Sequence, residues 1–221
     1  MPSEPVSHVW YTSYGSNCSR DRFLVYLCGG DLGGAAGDHH GARDAADPLA
    51  DGPAVLPTNV CFTGHTRRWG GAPAFLEHRP HPHGALGRRY LVTLEQFADV
   101  HAQENRRRPG ELQLPDDITD LAPGERRTVG DHAYDTIVGL EPVDGHPALT
   151  FTAPIAPEER EPAPPSATYL ATILHGLREV HDLDDATLVD RLLDAPGVAA
   201  GWTAATMRAL LDTPLERTLR K

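Results

Sequence analysis

Cysteine is scarce. The sequence holds three, Cys18, Cys28 and Cys61, an odd number at unmatched spacings, which excludes a disulfide framework and a Cys-x-x-Cys metal knuckle. No stretch approaches eighteen consecutive apolar residues, so none reads as a membrane span. The opening segment, MPSEPVSHVW, lacks the basic stretch and apolar run of a secretory signal, and a cytoplasmic location is expected. Positive charge is also in short supply: 20 Lys+Arg stand against 31 Asp+Glu, a net charge of −11. Nucleic acid and anionic membranes attract a positive surface, so both are excluded as main partners. Lysine is reduced to Lys221, and in an Ala- and Gly-rich chain that bias toward Arg reads as GC-rich coding.

What is present fits one soluble globular domain spanning 1–221, since 40% of the 221 residues are hydrophobic. The 21 Gly and 20 Pro call for long loops. The aromatic, β-rich run from His8 to Tyr14 reads as a buried first strand that breaks at Gly15. Ser19 is placed to cap a helix running to about Cys28. Residues 29–53 hold almost no large apolar side chains and read as a surface excursion inserted into the domain. Strands are expected at 54–66, 72–77 and 85–93, with the RPHPHG segment as a break. Thr93 and Gln96 have the spacing of a capping box for a helix with Leu94, Phe97, Ala98 and Val100 on one face, ending before Pro109. After a charged loop, strands are expected at 134–141 and 147–153. C-terminal helices fill 166–221: one capped by Ser166, one over 184–194 and one over 198–211. This order argues an α+β fold with a helical C-terminal cover.

Two features carry candidate chemistry. The turn Tyr14-Gly15-Ser16-Asn17 joins a strand to a helix start, where glycine admits close approach and unpaired N–H groups form a small anion or oxyanion site. Glu104 lies seven residues after Phe97 and four after Val100, so a helix that buries those two turns Glu104 inward as well. Desolvation and the helix dipole there disfavour its anion, the condition for a general base. The competing reading pairs Glu104 with Arg106, Arg107 or Arg108. The histidine runs DHH at 38–40 and HRPHPH at 78–83 sit in Gly- and Pro-rich segments without zinc-site spacing and read as incidental. Cys18 and Ser16 lack a marked partner for nucleophilic catalysis, and Cys18 reads as a small buried residue. The Arg triplet reads as a solvated face, with a phosphate-bearing substrate as the alternative.

The YGSN turn, the helix ending in Glu104 and the segment Pro165-Ser166-Ala167-Thr168-Tyr169 occur in an order that resembles the gamma-glutamylcyclotransferase-like family across most of the chain. The resemblance is to an actinobacterial-type member, of a kind at times labelled histone deacetylase. Nothing in the sequence resembles the Asp/His zinc constellation such chemistry needs. The family resemblance implies a small mixed β-barrel flanked by helices. It further implies a small-molecule γ-glutamyl amide as substrate, and a substrate-binding set of Tyr14, Gly15, Ser16, Asn17 and Tyr169. Glu104 would be the general acid/base. The α-amine would attack the γ-carbonyl within one molecule and release 5-oxoproline and a free amine, with no cofactor and no metal. The chain departs from the family in having Asn105 and the Arg run where Gly and a later Tyr are common, and in the 29–53 insertion. Both departures fall where a leaving group would lie, so glutathione, a γ-glutamyl dipeptide and a larger biosynthetic amide all stay open. An amidohydrolase or acyltransferase using the same pocket, and a non-catalytic binding module, are the other readings. Glu104 facing a cavity beside Ser16 and Asn17 favours an enzyme; Glu104 exposed and paired with the Arg run favours the module.

Overall fold

The computed structural model describes residues 6–32 and 38–215. At its centre lies β1 (His8–Ser13), which pairs antiparallel with β5 (Ala74–Thr93) and parallel with β8 (His146–Thr152). Outside these sit β4 (Ala50–Phe62) against β5, and β7 (Thr136–Val143) followed by β6 (Arg126–Thr128) beyond β8. The six-stranded order is therefore β4-β5-β1-β8-β7-β6, and a separate ribbon joins β2 (Gly30–Asp31) to β3 (Asp38–His39). The parallel contact of β1 with β8 makes the sheet mixed.

Two covered faces explain why the aromatic, β-rich first strand is buried along most of its length. Val9 and Tyr11 point to one core, with Phe23 and Leu27 of α1 (Arg20–Cys28) and Phe97 and Val100 of α2 (Leu94–Glu104). Trp10 and Tyr14 join the other, with Leu170, Ile173 and Leu174 of α3 (Ala167–Val180). Leu188 of α4 (Asp185–Leu193) and Met207 of α5 (Ala204–Leu211) complete that second core. The period-two alternation of β1 divides its side chains between these cores. The C-terminal helices thus cover one face, as the sequence led us to expect.

Several elements differ from expectation. The sheet does not close into a barrel: β4 and β6 remain its edges. It curls instead, and side chains bridge a seam between the first half of β5 and strands β8 and β6. Thr152 Oγ1 donates to Leu76 O at 2.8 Å and accepts from Leu76 N at 3.0 Å, and Arg126 Nη2 donates to His78 O at 3.2 Å. The RPHPHG segment does not break β5, because the irregularity is absorbed as bulges opposite Thr58, where Pro80 offers no N–H to the ladder. The 29–53 stretch is not all loop: it holds β2 and β3, and β4 begins at Ala50. Ser19 occupies the N-cap of α1 without a side-chain bond, and α5 starts at Ala204, after a Thr203 capping box, instead of at 198.

Helix α3 also fixes the turn after β1. A Cβ on Gly176 would lie 2.2 Å from both Cys18 C and Ser19 N, so the helix meets the turn backbone to backbone. No rotamer change relieves such a clash. Gly176→Ala should therefore cost at least about 2 kcal/mol of stability, whereas Gly52→Ala, whose Cβ meets nothing nearer than Arg89 Nε at 4.0 Å, should cost little. Urea unfolding of the two variants checks this, and equal midpoints would contradict the contact.

Candidate active site

The chain leaves β1 at Ser13 and passes through Tyr14 and Gly15 into a single 3-10 turn, Ser16–Cys18. Cys18 N donates to Gly15 O at 3.0 Å and Ser19 N to Ser16 O at 3.1 Å, so the amides of Ser16 and Asn17 stand ahead of the turn's first internal bond. Tyr14 is anchored by its hydroxyl, which donates to Phe151 O at 2.7 Å. Gly15 lies close against α3: a Cβ there would lie 3.0 Å from the Tyr169 hydroxyl, which would have to move by a few tenths of an ångström. That hydroxyl accepts from Ala74 N at 3.3 Å, and α3 is held in place by its Ser166 cap, whose Oγ accepts from Tyr169 N at 3.3 Å.

Glu104 closes the arrangement from the opposite side. The Thr93/Gln96 capping box starts α2, Phe97 and Val100 seat it, and the helix delivers Glu104 at its last position. Asn17 Nδ2 donates to Glu104 Oε1 at 2.9 Å and to Tyr11 Oη at 3.3 Å. Tyr14, Gly15, Ser16, Asn17, Glu104 and Tyr169 all line one cavity of about 540 Å³. The sequence-derived residues thus come together. The competing pairing of Glu104 with the Arg run is absent among the described residues. Arg107 instead binds Asp135 through two hydrogen bonds of 2.7 and 2.8 Å, Arg108 N donates to Glu111 Oε2, and Arg106 lines the cavity.

Sequence reasoning missed three tyrosines. Tyr11, Tyr26 and Tyr134 line the cavity with Tyr169. Burial pushes all four phenols up, and the charge of Glu104 adds to each. They therefore stay neutral hydroxyl groups around the carboxylate, able to donate hydrogen bonds to anionic groups. Only three-dimensional proximity marks them, since Tyr26 lies on α1 and Tyr134 in the turn before β7, with no shared spacing. The cavity also receives Arg22 from α1, a side chain with 2% exposure.

Other candidates take plain structural places. Cys18 is buried, and burial pushes its thiol up to about 12, so it is not a ready nucleophile. His39 stacks against Tyr26 with ring centroids 4.0 Å apart, and its Nε2 accepts from Arg68 Nη1 at 2.7 Å. His78 donates from Nε2 to Ala153 O. The ligand-type side chains that converge among the described residues are Asp131, His132 and Asp135, of which Asp135 is occupied by Arg107.

No family model matches the chain. Among solved structures, the fold matches a protein named gamma-glutamyl cyclotransferase with a TM-score of 0.51 at 13% identity, covering 93% of this chain and 98% of that one. The chain has the fold of gamma-glutamyl cyclotransferase. An uncharacterized protein from Homo sapiens matches with the same TM-score of 0.51 at 14% identity, over 94% of this chain and 99% of its own. Among curated sequences, Histone deacetylase 5 of Arabidopsis thaliana is 29% identical over 192 residues, which is 77% of this chain. The chain spans 28% of the length of that relative. In the cyclotransferase fold seen here, the cavity opens where the end of β1 meets the end of α2.

Two histidines around the site tie stability to pH. Burial pushes His101 down to about 4, and burial with the Arg22 and Arg68 charges pushes His39 down to about 3. The unfolded chain protonates its histidines near pH ~6.5 while the folded chain does not, so stability falls as pH drops from about 6.5 toward 4 and is retained above it. The urea midpoint should decrease between pH 7 and 4.5, and decrease less in His101→Gln. A midpoint flat across that range in the wild type would contradict the burial of neutral histidine.

Proposed function

We propose that the protein cleaves a γ-glutamyl amide by attack of the substrate's own α-amine on its γ-carbonyl, releasing 5-oxoproline and a free amine. The observation that carries this reading is the 2.9 Å bond from Asn17 to Glu104, which fixes a carboxylate in the cavity beside the strand-end turn. The match to the cyclotransferase fold supports it.

The chemistry asks little of the protein beyond geometry. A γ-glutamyl chain that curls brings its amine onto the γ-carbonyl to close a five-membered ring, and orientation lowers the barrier. Glu104 takes a proton from the α-ammonium, the free amine adds to the carbonyl carbon, and the carbonyl oxygen gains negative charge. The amides of Ser16 and Asn17 are the donors for that oxygen. As the tetrahedral centre collapses, Glu104 returns the proton to the departing nitrogen and the C–N bond to the leaving amine breaks; the ring nitrogen gives up its second proton through Glu104 to the freed amine, which leaves as an ammonium and regenerates the carboxylate. Tyr169 and the neighbouring phenols wall the head group and keep water from the amide, which favours cyclisation over hydrolysis. Asn17 acts through Glu104, holding the carboxylate at one angle.

The test is mass spectrometry of a panel of γ-glutamyl compounds incubated with the protein and with Glu104→Gln. The wild type should form 5-oxoproline, and the variant should lose roughly 10²- to 10⁴-fold in kcat. Equal 5-oxoproline from both proteins would remove Glu104 from the mechanism, and free glutamate in place of 5-oxoproline would replace cyclisation by hydrolysis.

A further inference from the structure

The cavity is cationic in an acidic chain. Among the described residues, Arg22, Arg68, Arg106 and Arg160 line it against a single carboxylate, Glu104, although the whole protein carries a net charge of −11. Several arginines elsewhere find carboxylates: Arg43 binds Asp99 and Glu95, Arg88 binds Asp51 and Glu179, and Arg107 binds Asp135. None of the four cavity arginines has an ion-pair partner among the described residues.

Arg22 is the extreme case. It is 2% exposed, its Nη2 donates to the Tyr26 hydroxyl at 3.2 Å, and its Nε and Nη1 have no acceptor among the described residues. Its guanidinium rests 4.7 Å from the Tyr26 ring centroid and 5.8 Å from that of Trp69. A buried cation without a counter-charge is costly and persists where a ligand completes it. Arg68, Arg106 and Arg160 are exposed at the cavity wall. Arg68 contacts the neutral imidazole of His39, not a carboxylate. Arg106 takes a left-handed turn at φ 59, two residues after Glu104, and Arg160 lies over the Phe75 ring.

The charge sum decides which half of the substrate these groups await. A γ-glutamyl head carries one carboxylate and one ammonium and so adds no net charge. The leaving nitrogen, held in an amide, is neutral, and any charge must come from substituents on the leaving half. We propose that the cavity selects γ-glutamyl amides whose released amine bears two or more negative charges, carboxylate or phosphate. Arg68, Arg106 and Arg160 receive them, and Arg22 adds a deeper positive field. This rests on the cyclisation reading above.

The experiment compares γ-glutamyl-glutamate, γ-glutamyl-phosphoethanolamine and the neutral γ-glutamyl-ethylamide across a salt series. The wild type should turn over one or both anionic compounds with kcat/KM roughly tenfold or more above the neutral one at low salt, and the preference should shrink as salt rises. Preference for the dicarboxylate or for the phosphate identifies the source of the charge. In the triple variant Arg68→Gln, Arg106→Gln, Arg160→Gln, all exposed positions, the ratio should fall toward one. A wild-type ratio near one, or a ratio unchanged in the variant, overturns the proposal. Calorimetric binding of the same compounds to Glu104→Gln separates the two readings. Anion-selective binding to the variant with no 5-oxoproline from the wild type retains the cationic cavity and removes cyclisation; 5-oxoproline from the wild type without selectivity does the reverse; neither effect removes both.

Discussion

One hydrogen bond, Asn17 Nδ2 to Glu104 Oε1, joins the end of the first strand to the end of the second helix, and most of the structure serves to bring those two ends together. Its donor sits in a turn clamped on two sides: Gly176 of α3 abuts the turn backbone, and the Tyr90 hydroxyl donates to Asn17 O at 2.8 Å. The acceptor is set by helix length, because the capping box fixes where α2 begins and Phe97 and Val100 fix its rotation. Each end is held by packing that involves no ligand. In the proposed reaction, a carboxylate oriented in this way would act as a base without reorganisation.

The sheet carries this arrangement because β1 is buried on both faces. Were one face open, the strand's end would lie at the surface and its turn would be solvated. With α1 and α2 on one side and α3 to α5 on the other, the turn emerges into a cavity walled by protein. The curled but open ladder contributes too. The first half of β5 folds back toward β8 through Thr152, which brings Ala74 and Phe75 to the cavity beside Tyr134 and Tyr169. A flat sheet would leave those rings apart.

How much of this was legible in the sequence depends on the range of the interaction. Local signals were readable: the Thr93/Gln96 box, the Ser166 cap and the aromatic, β-rich run of the first strand each act within a few residues, and each appears in the structure. Glu104 and the YGSN turn could be singled out because one follows from helical phase and the other from turn chemistry. Long-range features were hidden. Whether the sheet closes depends on strands far apart in sequence, and Arg126 and Thr152 bridge a seam that no spacing announces. Prolines at 80 and 82 suggested a break because they disrupt a regular ladder, but a bulge accommodates them. Tyr26, Tyr134 and Arg22 look like ordinary residues of their elements, and only the folded chain gathers them around one carboxylate.

The central claim is that Asn17 and Glu104 act as one unit, the first orienting the second. A double-mutant cycle on 5-oxoproline formation, with Asn17→Ala, Glu104→Gln and the combination, measures this directly. The account predicts that Asn17→Ala slows the wild type yet costs little further once Glu104 is Gln, because the amide of Asn17 then has no base to orient. Losses that simply multiply in the double variant would contradict it.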